Sequence, residues 1–217
     1  MISLPAQNLL VAGLLGAAVL TAMSFRLRSM LRAYALSSIF LALLSVSVAL
    51  RQELEDPYAF AVATVFVKTF AIPAFLSSVA RNSRAPLRLQ SYVRAASTLF
   101  IAGLLGAITF AVSARTADFF SSSTPASFPM VAIYLILLGF AMMILRRDIL
   151  SQMIGFLTLE NGISMIAIIT VGSLPLFIEL GVFSAVTVST IVMSHLFRRI
   201  QELYGAPDSS LLRELIE

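Results

Sequence analysis

Apolar runs of roughly twenty residues follow one another along the chain, separated by short polar or arginine-bearing stretches. A helix needs about 20 residues to cross a hydrocarbon core about 30 Å thick. On that measure the pattern predicts seven membrane spans, near residues 4–24, 33–50, 58–80, 95–114, 128–145, 149–171 and 174–196. Small residues recur inside them, as in "AGLLGAA" at 12–18 and "AGLLGA" at 102–107. In lipid such residues let helix backbones approach closely. The expected fold is therefore all-α and polytopic.

Composition turns that pattern into a class. Of 217 residues, 59% are hydrophobic and only 12% are charged, where a soluble domain carries about 25% charge. The N-terminal "MISLPAQNLL" has no basic region ahead of its apolar run, so that run reads as a first span and not as a cleaved signal. Absence of cysteine excludes a disulfide framework, a thiol nucleophile and a thiolate metal site. No HExxH, no Walker motif and no GxGxxG followed by an acid is present. Autonomous catalysis is not expected.

Charge then orients the spans. Fourteen arginines and one lysine stand against eleven acids, a formal charge of +4. Twelve of the arginines fall in alternate loops and in the tail: Arg26, Arg28 and Arg32, then Arg81, Arg84, Arg88 and Arg94, then Arg146 and Arg147, then Arg198, Arg199 and Arg213. The intervening loops hold only Arg51 and Arg115. The positive-inside rule makes the arginine-rich side cytoplasmic, with the N-terminus outside and the C-terminus inside. This balance reports topology and not nucleic-acid binding. "RSMLRAYALSSIFLALLSV" (28–46) and "RDILSQMIGFLTLENGISM" (147–165) both begin with a basic start, each as the second member of a three-span group. The pattern suggests a three-plus-one-plus-three parallel repeat. The units expected are a three-helix group over 1–80, a basic loop, connector helix and outer loop over 81–127, a second three-helix group over 128–196 and a cytoplasmic tail over 197–217.

Few ionisable residues fall inside the spans, where each costs about 2.5–3.5 kcal/mol at the helix centre. Lys68 sits near the middle of span 3 and Glu160 near the middle of span 6, at matching expected depth. Two readings stand side by side: a buried ion pair that holds helices together, or hydrated groups that pass protons. Pro73, five residues after Lys68, frees a backbone carbonyl about one turn back. Asn161 supplies an interhelical hydrogen bond and Gly162 a close helix contact. Glu179 lies near the outer end of span 7, and His195, the one histidine, at its cytoplasmic end, where an imidazole is chemically suited to a proton handover. Asp148 follows Arg146 and Arg147 at a helix start, a charge-balancing position.

"LRRDILSQMIGFLTLENGISMIAI" (145–168), with its basic start and its E-N-G element, resembles the hydrogenase-4 component E (HyfE) family. "FVKTFAIPAFL" (66–76) is similar to the same family's Lys followed five residues later by Pro, and "ELGVF" (179–183) fits its continuation. The resemblance implies a multi-pass subunit of the cell inner membrane, in complexes of the group 4 energy-converting hydrogenase or formate hydrogenlyase type. Its C-terminal half would be similar to the K-type subunit of complex I and the C-type subunit of Mrp antiporters. Glu160 then falls on the glutamate assigned to proton transfer, and Lys68 is the carry-over for the N-terminal half; Glu179 and His195 are further proton-transfer candidates from their positions in span 7 alone. Implied partners are antiporter-like membrane subunits and a soluble redox or hydrogenase-like arm; the subunit itself would bind no cofactor, and metals and clusters would reside in those partners. The chain departs from the family pattern at Ala185, where a second acid is usual, and at Ser37, where span 2 usually carries Gln. A purely structural bridging subunit and a small independent transporter are the alternative expectations.

Overall fold

The computed structural model describes residues 4–52, 61–62, 64–82, 91–116 and 127–171, with Tyr58 and eight single positions between Ser184 and Glu202. Among these residues every regular element is a helix: α1 (Leu4–Met23), α2 (Leu27–Gln52), a π-helical stretch (Thr64–Ala71) running into α3 (Ile72–Asn82), α4 (Ala95–Thr116), α5 (Ser127–Leu145) and α6 (Ile149–Val171). Five of them, all but the π-helical stretch with α3, are long and apolar enough to cross a bilayer. Among the described residues the chain is thus all-helical, with helices of the membrane-spanning kind. Most residues of the expected seventh span, including Glu179 and Ala185, and most of the tail lie outside the described residues.

α2 starts at Leu27, earlier than the apolar pattern predicts. Arg28, Ser29 and Arg32 fall on its outward side, while Leu27, Met30, Leu31 and Tyr34 point inward and are buried. A helix end at the bilayer boundary tolerates this division, because long basic side chains reach water while their stems cover apolar surface.

The third crossing is broken for an identifiable reason. Pro73 has no N–H for the carbonyl four residues back, and its ring crowds that carbonyl. The chain ahead of it runs in the wider π register from Thr64 to Ala71, and the α register resumes at Ile72. Such π segments recur at functional positions, and Lys68 lies inside this one.

Two antiparallel hairpins, α1–α2 and α5–α6, form the most extensive helix contacts. They point the same way: Ser127 Oγ at the start of α5 donates to Asn8 Oδ1 near the start of α1 at 3.1 Å. The α5–α6 pair meets backbone to backbone. A Cβ on Gly162 would stand 2.7 Å from the Ala132 carbonyl oxygen, and one on Gly139 would stand 2.5 Å from the Leu159 nitrogen. α2 sits centrally, touching α1, the π-helical stretch, α3 and α6, whereas α4 lies at the edge with Phe100 and Phe110 exposed. The turns after α1 and α5 and the segment before α4 gather at one end of the bundle, bringing Arg26, Arg28, Arg32, Arg81, Arg94, Arg146 and Arg147 together there.

Candidate functional site

At the meeting point of α2, the π-helical stretch and α6 lies a polar network closed off from the surface. Lys68 is fully buried and Glu160 is 4% exposed, and the two form an ion pair within the chain. Lys68 Nζ also donates to Asn161 Oδ1 at 3.1 Å and to Ser164 Oγ at 3.2 Å. These three acceptors all sit on α6 and match the three donors of an ammonium group. Ser164, one turn beyond Glu160, donates its own hydroxyl hydrogen bond to Glu160 Oε1 at 2.8 Å.

The direction of the network follows from chemistry. An ammonium accepts nothing, so Asn161 must turn its oxygen to Lys68 and its amide nitrogen away. Nδ2 accordingly donates toward Ser37 Oγ at 3.3 Å and Ser38 Oγ at 3.4 Å on α2. Ser37 in turn donates to the Tyr34 carbonyl at 2.8 Å. The Tyr34 hydroxyl is buried beside Glu160 and Ser38, without a hydrogen bond of good geometry to any described residue. The Thr64 and Thr69 hydroxyls on the π-helical stretch are likewise buried and lack hydrogen-bond partners among the described residues. The ensemble is a carboxylate and an ammonium in direct contact, flanked by hydroxyl groups that can exchange protons with them.

An uncharacterized protein of Mycobacterium tuberculosis aligns along nearly the whole chain. This relative, Rv0085 of strain H37Rv, is 28% identical over 204 residues, covering 94% of this chain and 92% of its own. No family model and no solved structure matches the chain.

Of the sequence-selected residues, Lys68, Glu160 and Asn161 converge, while Gly162 meets α5 and Pro73 lines a cavity against α2. Gly162 supports the site from behind: its missing side chain lets α5 press against the face of α6 next to Asn161. His195 occupies an exposed helical position, and Glu179 lies outside the described residues. Among the described residues no cluster of three or more His, Asp or Glu side chains could hold a metal. Ser164 and Tyr34 were not singled out by sequence. Ser164 was accessible to it, four residues beyond Glu160 and so on the same helix face; Tyr34 required knowing how α2 is rotated.

Arg146 was also missed as a structural residue, because in sequence it is one loop arginine among many. It is 2% exposed, and its Nη2 reaches the carbonyls of Ala22 and of Ser24, the latter at 2.9 Å, while the guanidinium lies over the Phe25 ring. Burial pulls its pKa below the ordinary arginine value, opposed by the nearby Asp148 carboxylate. Asp148 caps α6: Oδ1 accepts the Ser151 N–H and Oδ2 the Ser151 hydroxyl, both at 2.9 Å. Burial pushes the Asp148 carboxyl above its usual range, and the two Ser151 hydrogen bonds and Arg146 pull the other way.

Proposed function

We propose that this chain is a non-catalytic, seven-span subunit of a multisubunit redox-driven or ion-translocating membrane complex of the hydrogenase type. In this reading the N-terminus lies outside and the arginine-rich end faces the cytoplasm of the cell's inner membrane. The Lys68–Glu160 pair is the point in the chain at which protons are held at mid-membrane. One observation carries the reading: a carboxylate and an ammonium in contact, buried among hydroxyl groups on three helical segments. Charges inside a membrane are costly, and where they occur they pair with one another or mark ion and proton routes. The resemblance of the E-N-G and Lys-to-Pro elements to the hydrogenase-4 component E family supports the same assignment. Two parallel three-span groups joined by α4 would place the pair between the halves.

Glu160→Gln preserves side-chain shape and removes the titratable group, and is the variant that tests the reading. In the assembled complex it lowers the number of protons moved per catalytic turnover while leaving assembly in place. Full translocation per turnover in the variant would refute the role for Glu160. Purification of a monodisperse, active lone chain, in place of co-purification with membrane and soluble partners, would refute the subunit assignment.

A second reading is favoured by the match of three ammonium donors to three acceptors. A pair so fully engaged serves as a static clamp between the π-helical stretch and α6, in a bridging subunit. Loss of assembly in Glu160→Gln, with normal translocation in whatever assembles, assigns it that role.

A further inference from the structure

A cavity of about 470 Å³ opens between the first turns of α2 and the broken third crossing. Its volume falls within the range of small-molecule sites, roughly 300–1,000 Å³. Three arginines stand around it: Arg28 and Arg32 from α2 and Arg81 from the last turn of α3. All three are exposed, and none has a carboxylate partner among the described residues. Leu27, Leu31 and Ala80 line the wall level with the arginines, and deeper in it is apolar, with Ala35, Pro73 and Ala74. Ser77 adds a hydroxyl part-way down. At the inner end lies Thr69, 9% exposed, its hydroxyl without a hydrogen-bond partner among the described residues. Twelve residues separate Thr69 from Arg81, roughly 18 Å at the helical rise, so the cavity runs from the boundary of the bilayer toward its middle.

This gradient, cationic at the rim and apolar beneath with isolated hydroxyls, is complementary to one kind of molecule. A phospholipid with a net negative headgroup presents a phosphate at the boundary, ester oxygens just below and a hydrocarbon chain deeper still. Arginine binds phosphate through paired N–H donors, and basic pockets between transmembrane helices hold anionic headgroups. We propose that the cavity is a binding site for an anionic phospholipid, its phosphate held by Arg28, Arg32 and Arg81 and a chain lying along the Pro73 wall. The proline that breaks the third crossing lines this wall, so a single sequence feature serves both the Lys68 site and the lipid site. A bound lipid fastens α2 to α3, whose facing surfaces the cavity otherwise separates.

The full chain in non-ionic detergent is mixed with micelles carrying phosphatidylglycerol or, at equal mole fraction, phosphatidylcholine, and retained lipid is counted by native mass spectrometry. Phosphatidylglycerol is retained selectively. Arg28→Gln, Arg32→Gln and Arg81→Gln each weaken retention about fivefold, and the triple variant about a hundredfold, as expected for surface cations near a headgroup. Arg94→Gln, exposed at the same end of the bundle but outside the cavity, leaves retention unchanged. Helical circular dichroism confirms that each variant is folded, and the single variants carry the test if the triple variant is not. Equal retention of phosphatidylcholine, or an equal loss in Arg94→Gln, overturns the proposal. Displacement of the lipid by millimolar inorganic phosphate assigns the rim to a free anion, and displacement by poly-glutamate assigns it to an acidic protein segment; either outcome overturns it as well.

Discussion

Replacing Lys68 by methionine keeps the length of the side chain and removes its charge. Glu160 is then left with no cationic partner in a site where it is 4% exposed, and Asn161 Oδ1 and Ser164 Oγ each lose a donor. Breaking a buried pair from one side costs about 3–5 kcal/mol, most of it from the abandoned charge. Glu160→Gln leaves the Lys68 ammonium without a counter-charge in its turn, and costs somewhat less because the amide oxygen still accepts from Lys68 and the amide nitrogen can donate to Ser164. The double variant Lys68→Met, Glu160→Gln removes both charges together, so its cost falls short of the sum by about 2–3 kcal/mol, at the upper end for contacting residues. The chain has no tryptophan, so unfolding in mixed micelles is followed by circular dichroism at the helical minimum. The double-mutant cycle decides the matter. Additivity within about 0.5 kcal/mol, with each single change costing under about 1 kcal/mol, would mean that the two groups are separately solvated and that no desolvated pair exists.

Three further outcomes follow from contacts elsewhere in the bundle. Gly162→Ala drives a methyl group to 2.7 Å from the Ala132 carbonyl oxygen and destabilises by about 1–3 kcal/mol, while Gly16→Ala, with open space around it, is neutral or slightly stabilising; thermal midpoints of the two variants separate them. Asp148→Ala removes the cap of α6 and costs about 1 kcal/mol, whereas Asp148→Asn keeps an acceptor for the Ser151 N–H and costs less. Because burial raises the folded-state pKa of Asp148 above its ordinary 3.8, its ionisation opposes folding: the relative stability is greatest below pH 3.8 and is lost as pH rises through the raised value. A stability–pH profile of Asp148→Asn lacks that component. Arg146→Gln leaves the Ala22 and Ser24 carbonyls short of a donor and costs about 2–5 kcal/mol, against less than about 0.5 kcal/mol for the exposed Arg28→Gln.

The apolar pattern locates the long helices well, because the length of a membrane helix is set by the bilayer and every apolar position reports it. The span expected at 149–171 coincides with Ile149–Val171, and that at 128–145 with Ser127–Leu145. The early start of α2 escaped the pattern because Arg28 and Arg32 interrupt hydropathy without interrupting the helix. Matching depth made Lys68 and Glu160 candidates for each other, but depth is a coordinate along the helix axis. Contact also depends on how each helix is rotated, and the π register changes that rotation where Lys68 sits. The sequence shows Pro73, yet not how many residues before it adopt the wider register.

Loop arginines expose the deeper limit of reading charge as a count. The positive-inside argument weighs Arg28 and Arg146 equally, since both flank spans at the same end. Their fates differ because of the turns. The last four carbonyls of a helix have no partner inside it, and the three-residue turn after α1 leaves little room for water to serve them. Ser24 satisfies two, its hydroxyl bonding the Leu20 carbonyl at 2.7 Å and its N–H the Thr21 carbonyl at 3.3 Å. The Ala22 carbonyl is met by Arg146 from the equally tight turn after α5. At that turn the Leu145 carbonyl is met at 3.0 Å by the Tyr92 N–H and by the Ser91 hydroxyl. The tight turns thus create a demand for a donor that reaches across the bundle, and only a long, permanently charged fork supplies it without leaving the membrane boundary. Arg28, in the first turn of a helix whose carbonyls there are bonded along it, meets no such demand and stands at the cavity rim. A rule that counts arginines locates the end of the bundle they share, and the unmet backbone acceptors nearby determine which of them is built into the fold.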